Sequence, residues 1–236
     1  MIQKIIGIYQ QSGGVFTASP DLFMEKFAKI KGFIFDWDGV FNAGRKSEAT
    51  HSDFSEVDSM GTNLLRFAMW LKEEKKQAPF AVITGARNRV AYHVAKREHF
   101  DSVYYSIKFK IDAAKHFAQT HGLELDEIAF VFDDVLDLNL AAEAGLRFFI
   151  KRKANPLFNA YVEEKGFADY IAGREGDKFA VREITELCLG LNGYFETVVQ
   201  KRMEYHGDYK NYLTERNEKA TKFFTTKDDV IVDGEG

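Results

Sequence analysis

Asp36 and Asp38 stand one residue apart at the end of the apolar run Gly32-Phe33-Ile34-Phe35, and Gly39 follows them. A short apolar run of this kind reads as a buried parallel strand. Open α/β sheets place their chemistry at the C-terminal ends of such strands. Two carboxylates held there repel each other unless a cation or a proton compensates. The pair therefore points to a Mg²⁺ site with a nucleophilic aspartate beside it.

Three further strand ends carry matching residue types. Thr84 closes the run Pro79-Phe80-Ala81-Val82-Ile83. Lys110 opens a helix after Ser102-Val103-Tyr104-Tyr105. Asp133, Asp134 and Asp137 follow Ile128-Ala129-Phe130-Val131-Phe132. In a parallel sheet these positions converge on one edge. Carboxylates, a hydroxyl and an ammonium brought together suit phosphoryl transfer, where the task is positioning and charge stabilisation. Several aspartate oxygens suit Mg²⁺. On this reading Asp36 attacks phosphorus. Asp38 protonates the leaving alkoxide and later deprotonates water. Asp36, Asp38 and Asp133 form the metal site, and Asp134 and Asp137 orient metal-bound water and Lys110 from outside it. Thr84, Gly85, Arg87 and Lys110 are the candidate substrate contacts. For Arg87, as for Arg182, a surface or structural ion pair is an equally good reading.

The elements that must position these residues alternate β and α, which implies a doubly wound, Rossmann-like parallel sheet with helices on both faces. Residues 1–20 form a weakly patterned lead-in ending at Ser19-Pro20, an N-cap followed by proline in the first helical turn. Helices are expected at about 21–30, 61–75, 88–98, 109–121, 137–144 and 178–189. A last short strand is expected at Asp169-Tyr170-Ile171. Residues 40–62 are polar and turn-rich. From 190 on, glycines and tyrosines sit among many charges, which reads as one or two amphipathic helices and an acidic, mobile end.

Composition narrows the function classes. The chain has 236 residues, 45% of them hydrophobic, and a net charge of −4. That is enough for one domain with a substantial core, and it gives no basic surface for nucleic acid. The single cysteine, Cys188, reads as a buried small apolar residue. No signal peptide is apparent, and no apolar stretch approaches the roughly 18–20 residues of a membrane span. A soluble, cytoplasmic protein is expected, with no membrane partner.

The motif order Asp-x-Asp-Gly-Val, Ile-Thr-Gly, lysine, Asp-Asp-x-x-Asp resembles that of the haloacid-dehalogenase-like (HAD) phosphatases. Asp36 to Gly44, Asp58-Ser59-Met60-Gly61 and the run Gly173-Arg174-Glu175-Gly176-Asp177-Lys178-Phe179-Ala180-Val181-Arg182-Glu183 further resemble the 3-deoxy-manno-octulosonate-8-phosphate (KDO-8-phosphate) phosphatase branch. The resemblance spans about residues 22–190. It implies a core at 21–190 without a cap domain, a β-hairpin insertion at 40–57, and an extension at 191–236. It also implies Mg²⁺ as cofactor, a phosphorylated sugar or sugar acid as the small-molecule substrate, and a homotetramer in which a neighbour covers the site.

The chain departs from the branch in three places. Phe132 takes the position of a glycine, which puts a phenyl ring beside the metal. Arg87 comes one residue later than in Thr-Gly-Arg. Lys108 competes with Lys110 for the phosphate, Lys110 being preferred. Phe132 and the extension motivate an alternative, a catalytically weak or inactive HAD-fold binding or scaffold protein. A phosphoacceptor receiver domain fits poorly, because the Asp-x-Asp comes first and the chain is too long.

Overall fold

The structure, a computed structural model, describes residues 2–46 and 53–236. In chain order its elements are α1 (Ile2–Gln11), β1 (Val15–Phe16), α2 (Pro20–Lys29), β2 (Gly32–Phe35), α3 (Glu56–Lys72), β3 (Phe80–Ile83), α4 (Arg89–Glu98), β4 (Ser102–Tyr104) and α5 (Lys110–His121). There follow β5 (Ile128–Phe132), α6 (Leu138–Ala141), β6 (Leu146–Phe149), α7 (Pro156–Glu164), β7 (Tyr170–Ile171), α8 (Ala180–Leu191), α9 (Phe195–Glu204), α10 (Asp208–Asn217), β8 (Lys222–Lys227) and β9 (Val230–Asp233). The strands form one sheet in the order β1-β7-β6-β5-β2-β3-β4-β8-β9. It is parallel from β7 to β8, with β1 and β9 antiparallel at the two edges. β2 lies at the centre, in register with β3 through Phe33 and Phe80 and with β5 through Phe33 and Ala129.

Strand alternation sends side chains to two cores. Phe33, Phe35, Val82 and Val131 face one side, under α1 to α4 and α8. Ile34, Ile83, Phe130 and Phe132 face the other, under α5, α6 and α7. Because central strands are covered on both faces, they read as continuous apolar runs. α9 and α10 form a further layer outside α3, where Phe67 and Trp70 meet Tyr209 and Tyr212. The tyrosine hydroxyls stay satisfied there: Tyr209 donates to Asn63 Oδ1 (2.9 Å) and Tyr212 to the Asn63 carbonyl (3.3 Å).

Two of the motifs that carry the branch resemblance fix element geometry. Asp58, buried in the first turn of α3, accepts the Arg182 amide near the start of α8 (2.7 Å). This satisfies one of the free N–H groups of a helix N-terminus. Gly61 lies so close to α8 that a Cβ would meet Thr185 Oγ1 at 2.4 Å, so no larger residue fits that crossing. Glu183 gathers the Gly173 amide (2.8 Å), the Arg174 amide (3.0 Å) and the Tyr170 hydroxyl (2.6 Å), tying β7 and the loop after it to α8.

The structure differs from the sequence expectation at both ends. The lead-in holds a helix, α1, whose Ile6 enters the core, and an edge strand, β1. Most of α1 is exposed, so only a single turn-spaced apolar side is used. Residues 195–204 and 208–217 are helical, but the chain then returns to the sheet. β8 pairs in parallel with β4, and Asp228-Asp229, both at positive φ, turn it into β9. The acidic end is therefore held by backbone ladders. Of the hairpin expected at 40–57, residues 47–52 lie outside the described residues; 40–46 and 53–55 are turn and coil, and 56–57 already belong to α3.

Candidate active site

The chain leaves the sheet at Phe35, and the amide of Asp36 still bonds the Val131 carbonyl of β5 (2.9 Å). Asp36 therefore sits at the strand end beside Asp133, which follows β5. Thr84 follows β3 in the same row. Its amide bonds the Tyr104 carbonyl (2.8 Å) and its carbonyl accepts the Ile107 amide (3.2 Å), which joins the loops after β3 and β4. Lys110, the first residue of α5, reaches back over this edge. Its Nζ lies 2.6 Å from Asp36 Oδ1 and pairs as well with Asp137 Oδ1. All four of these ionisable groups, Asp36, Lys110, Asp133 and Asp137, are buried.

Asp36, Asp133 and Asp137 each offer an oxygen within 4.8 Å of the others. Asp137 orients itself by accepting the amides of Asp133 (3.3 Å) and Asp134 (3.1 Å) on Oδ2. Asp133 Oδ2 pairs with Arg152, and its Oδ1 is buried with no partner. An orphaned carboxylate oxygen beside two more carboxylates is a costly arrangement unless something positive completes it. The set, all hard oxygen, fits a divalent cation such as Mg²⁺. Electrostatics agree. Burial pushes the Asp36 carboxyl up to about 6, against the pull of the Lys110 ammonium and with the help of the Asp137 charge. Burial and then the Asp36 charge push Asp133 up to about 9, with Arg152 opposing. Burial opposes the charge on Lys110, but Asp36 and Asp137 outweigh it and hold the ammonium protonated well above the ordinary lysine range.

Three placements depart from the sequence reading, and the choice between Lys108 and Lys110 falls as preferred there. The carboxylate that joins Asp36 and Asp133 is Asp137, not Asp38. The chain turns right after Trp37, with the amides of Val40 (3.3 Å) and Phe41 (3.1 Å) on the Trp37 carbonyl, and this turn carries the Asp38 carboxylate onto Lys46 Nζ (2.5 Å). Asp134 is exposed and caps the 3₁₀ turn Val135–Asp137, accepting the Val135 amide at 2.7 Å. The Phe132 ring does not face the carboxylates. It points into the second core, 5.6 Å from the Phe130 ring and 5.2 Å from Phe149. Lys108 is exposed, whereas Lys110 is buried.

Gly85 and Arg87 are exposed beyond Thr84. The Arg87 guanidinium lies 5.4 Å above the Tyr105 ring, in a cavity of about 610 Å³ shared with Arg89, His93 and Lys96. Arg182 is paired with its own-helix neighbour Glu186 (2.7 Å). Sequence reasoning missed Arg152. Its signal was the run Lys151-Arg152-Lys153 directly after β6, at the same sheet edge as the other strand-end residues.

No family model matches the chain. Its structure is similar to that of a HAD superfamily (subfamily III A) hydrolase from Legionella pneumophila, with a TM-score of 0.64 and 30% identity over 78% of this chain and 95% of that one. The chain belongs to the HAD superfamily of hydrolytic enzymes. It shares its fold with the KDO-8-phosphate phosphatase of Moraxella catarrhalis, a structure in complex with a magnesium ion, a phosphate ion and KDO (TM-score 0.63, 23% identity, 78% of this chain and 99% of that one). The cobalt-bound phosphatase of the same name from Haemophilus influenzae has the fold too (TM-score 0.59, 21% identity, 72% and 93% covered).

Proposed function

We propose that the chain is a Mg²⁺-dependent phosphomonoesterase that hydrolyses a small phosphorylated sugar or sugar acid, of the KDO-8-phosphate kind, through an aspartyl-phosphate. The observation that carries this reading is the buried Lys110 bridging Asp36 and Asp137 beside the unpartnered Asp133 oxygen. Asp36, Asp133 and Asp137 would hold the cation. When bound, it would offset the carboxylate charge and the charge on the phosphate oxygens.

The protein's own groups then account for the chemistry. A carboxylate oxygen of Asp36 bonds to phosphorus as the ester P–O bond breaks. Asp38, once protonated and freed from Lys46, gives its proton to the departing alkoxide; the carboxylate so formed then takes a proton from the water that attacks phosphorus, which releases phosphate and restores Asp36. Lys110 and Thr84 hold the transferred group, with the Gly85 amide and Arg87 on the substrate side. Asp134 keeps the turn that presents Asp137. The binding-module alternative loses its main motive, since the Phe132 ring is in the core.

The test is phosphate release from a panel of sugar phosphates, KDO-8-phosphate included, in Mg²⁺ and in EDTA, with wild type and Asp36→Asn in parallel. Turnover that needs the metal and disappears in the variant is the expected result. A folded protein that turns over nothing in the panel refutes the proposed substrate class.

A further inference from the structure

We infer that Arg152 is a positioning residue for the metal site: it holds Asp133 by one oxygen so that the other is presented to the cation. The inference rests on the proposed metal-dependent reading and concerns a residue outside its strand-end motifs.

The geometry is built from both sides. Arg152 follows β6, and its carbonyl is fixed by the Asn155 amide (3.1 Å) and by Asn159 Nδ2 of α7 (2.7 Å). The next amide, Lys153, donates to Glu175 Oε1 (2.9 Å). The backbone at Arg152 is thereby anchored between α7 and the loop before α8. From there the side chain crosses the loop that follows Asp36 and pairs with Asp133 Oδ2. It passes directly over Gly39, at φ +95°, where a Cβ would lie 1.7 Å from the guanidinium and 2.1 Å from Asp133 Oδ2. The glycine of the Asp-x-Asp-Gly motif thus serves two needs in this chain, a left-handed turn and a passage for Arg152.

The result is a division of labour on one carboxylate. Asp133 is 1% exposed, so neither oxygen reaches bulk water. Oδ2 is taken by Arg152, while Oδ1 is buried without a partner. Asp137 shows the same division: its Oδ2 is held by two backbone amides and its Oδ1 faces Lys110. Carboxylates that bind metals are commonly held in place by such outer partners, and removing one costs about 10–100-fold in metal affinity. Charge argues that Arg152 is compatible with the cation. Once a bound cation displaces the Asp133 proton, Lys110 and Arg152 balance two of the three buried carboxylates, which leaves one negative charge for a divalent ion to meet.

The test is Mn²⁺ binding to the full chain, by calorimetry and by the loss of free-ion EPR signal, for wild type, Arg152→Met and Arg152→Lys, each checked by thermal melt. One Mn²⁺ bound by wild type, about 10–100-fold weaker binding by Arg152→Met and partial recovery in Arg152→Lys are expected. Equal or tighter binding by Arg152→Met overturns the inference and makes Arg152 a bystander or a competitor for the cation. If Arg152→Met does not fold, Arg152→Lys and Arg152→Gln decide the matter: a glutamine variant binding as wild type overturns it. No binding by wild type refutes instead the metal-dependent reading on which the inference rests.

Discussion

At the scale of single residues the site is a charge problem solved by one lysine. Asp36 and Asp137 share Lys110 in a region closed to water, so removing the ammonium leaves two carboxylates facing each other. Lys110→Met is therefore expected to lower kcat by about 10²-fold or more, by analogy with loss of a charge-stabilising donor. It should also destabilise the metal-free protein by about 3–5 kcal/mol, the usual cost of orphaning a buried charge. Phosphate release at saturating substrate and denaturant unfolding in EDTA measure the two effects. Asp36, Thr84 and Asp133 were legible in the sequence because each stands at the end of an apolar run and strand ends share an edge, and Lys110 because it opens the helix after the next such run. The roles of Asp38 and Asp137 were less legible. Which of several nearby carboxylates meet depends on how the loop after Trp37 turns, and spacing does not encode that. Arg152 had only its position after β6 to mark it.

At the scale of elements, the contact between α3 and α8 carries a buried acid outside the catalytic group. Burial pushes Asp58 up to about 7, against the Arg182 amide and charge, and its Oδ2 has no partner. Its folded value lies above the unfolded one, so the folded state binds the extra proton. The stability it brings is fully present below about pH 4 and is lost as pH rises through about 7. In Asp58→Asn this loss is absent. The difference in melting temperature between variant and wild type should grow in the variant's favour from pH 5 to pH 8, read by thermal melts at saturating Mg²⁺. A constant difference across that range would contradict the assignment. Helices α2, α4 and α5 fall within a residue or so of the expected spans 21–30, 88–98 and 109–121; Ser19 marked the start of α2, while the Asn88 cap of α4 was not read from the sequence. The strand β8 was not legible. Its alternation, Phe224 inward between half-buried neighbours, is only six residues long and is followed by an acidic turn that resembles a loose tail.

At the scale of the whole molecule, the carboxylate edge has no covering domain among the described residues, since the chain passes from β2 to α3 through residues 36–55 alone. No helix among the described residues is long and apolar enough to cross a membrane. A neighbouring subunit is the proposed cover, in the homotetramer implied by the branch resemblance. Light scattering on the eluting protein should then give four times the 27.0 kDa chain mass, and a monomeric mass with full activity would refute that arrangement. The doubly wound centre was readable from alternating segments, whereas the antiparallel margins depend on strands of two to six residues that only tertiary pairing stabilises. β8 has one more consequence, for the order in which the chain is made. β4 finds its outer neighbour in residues 222–224, more than a hundred positions later. During synthesis the whole catalytic edge emerges while β4 still offers an unpaired ladder, a template for wrong pairing between nascent chains. Synthesis must pass residue 222 before that edge is closed, so chains arrested earlier are the ones this fold exposes to aggregation.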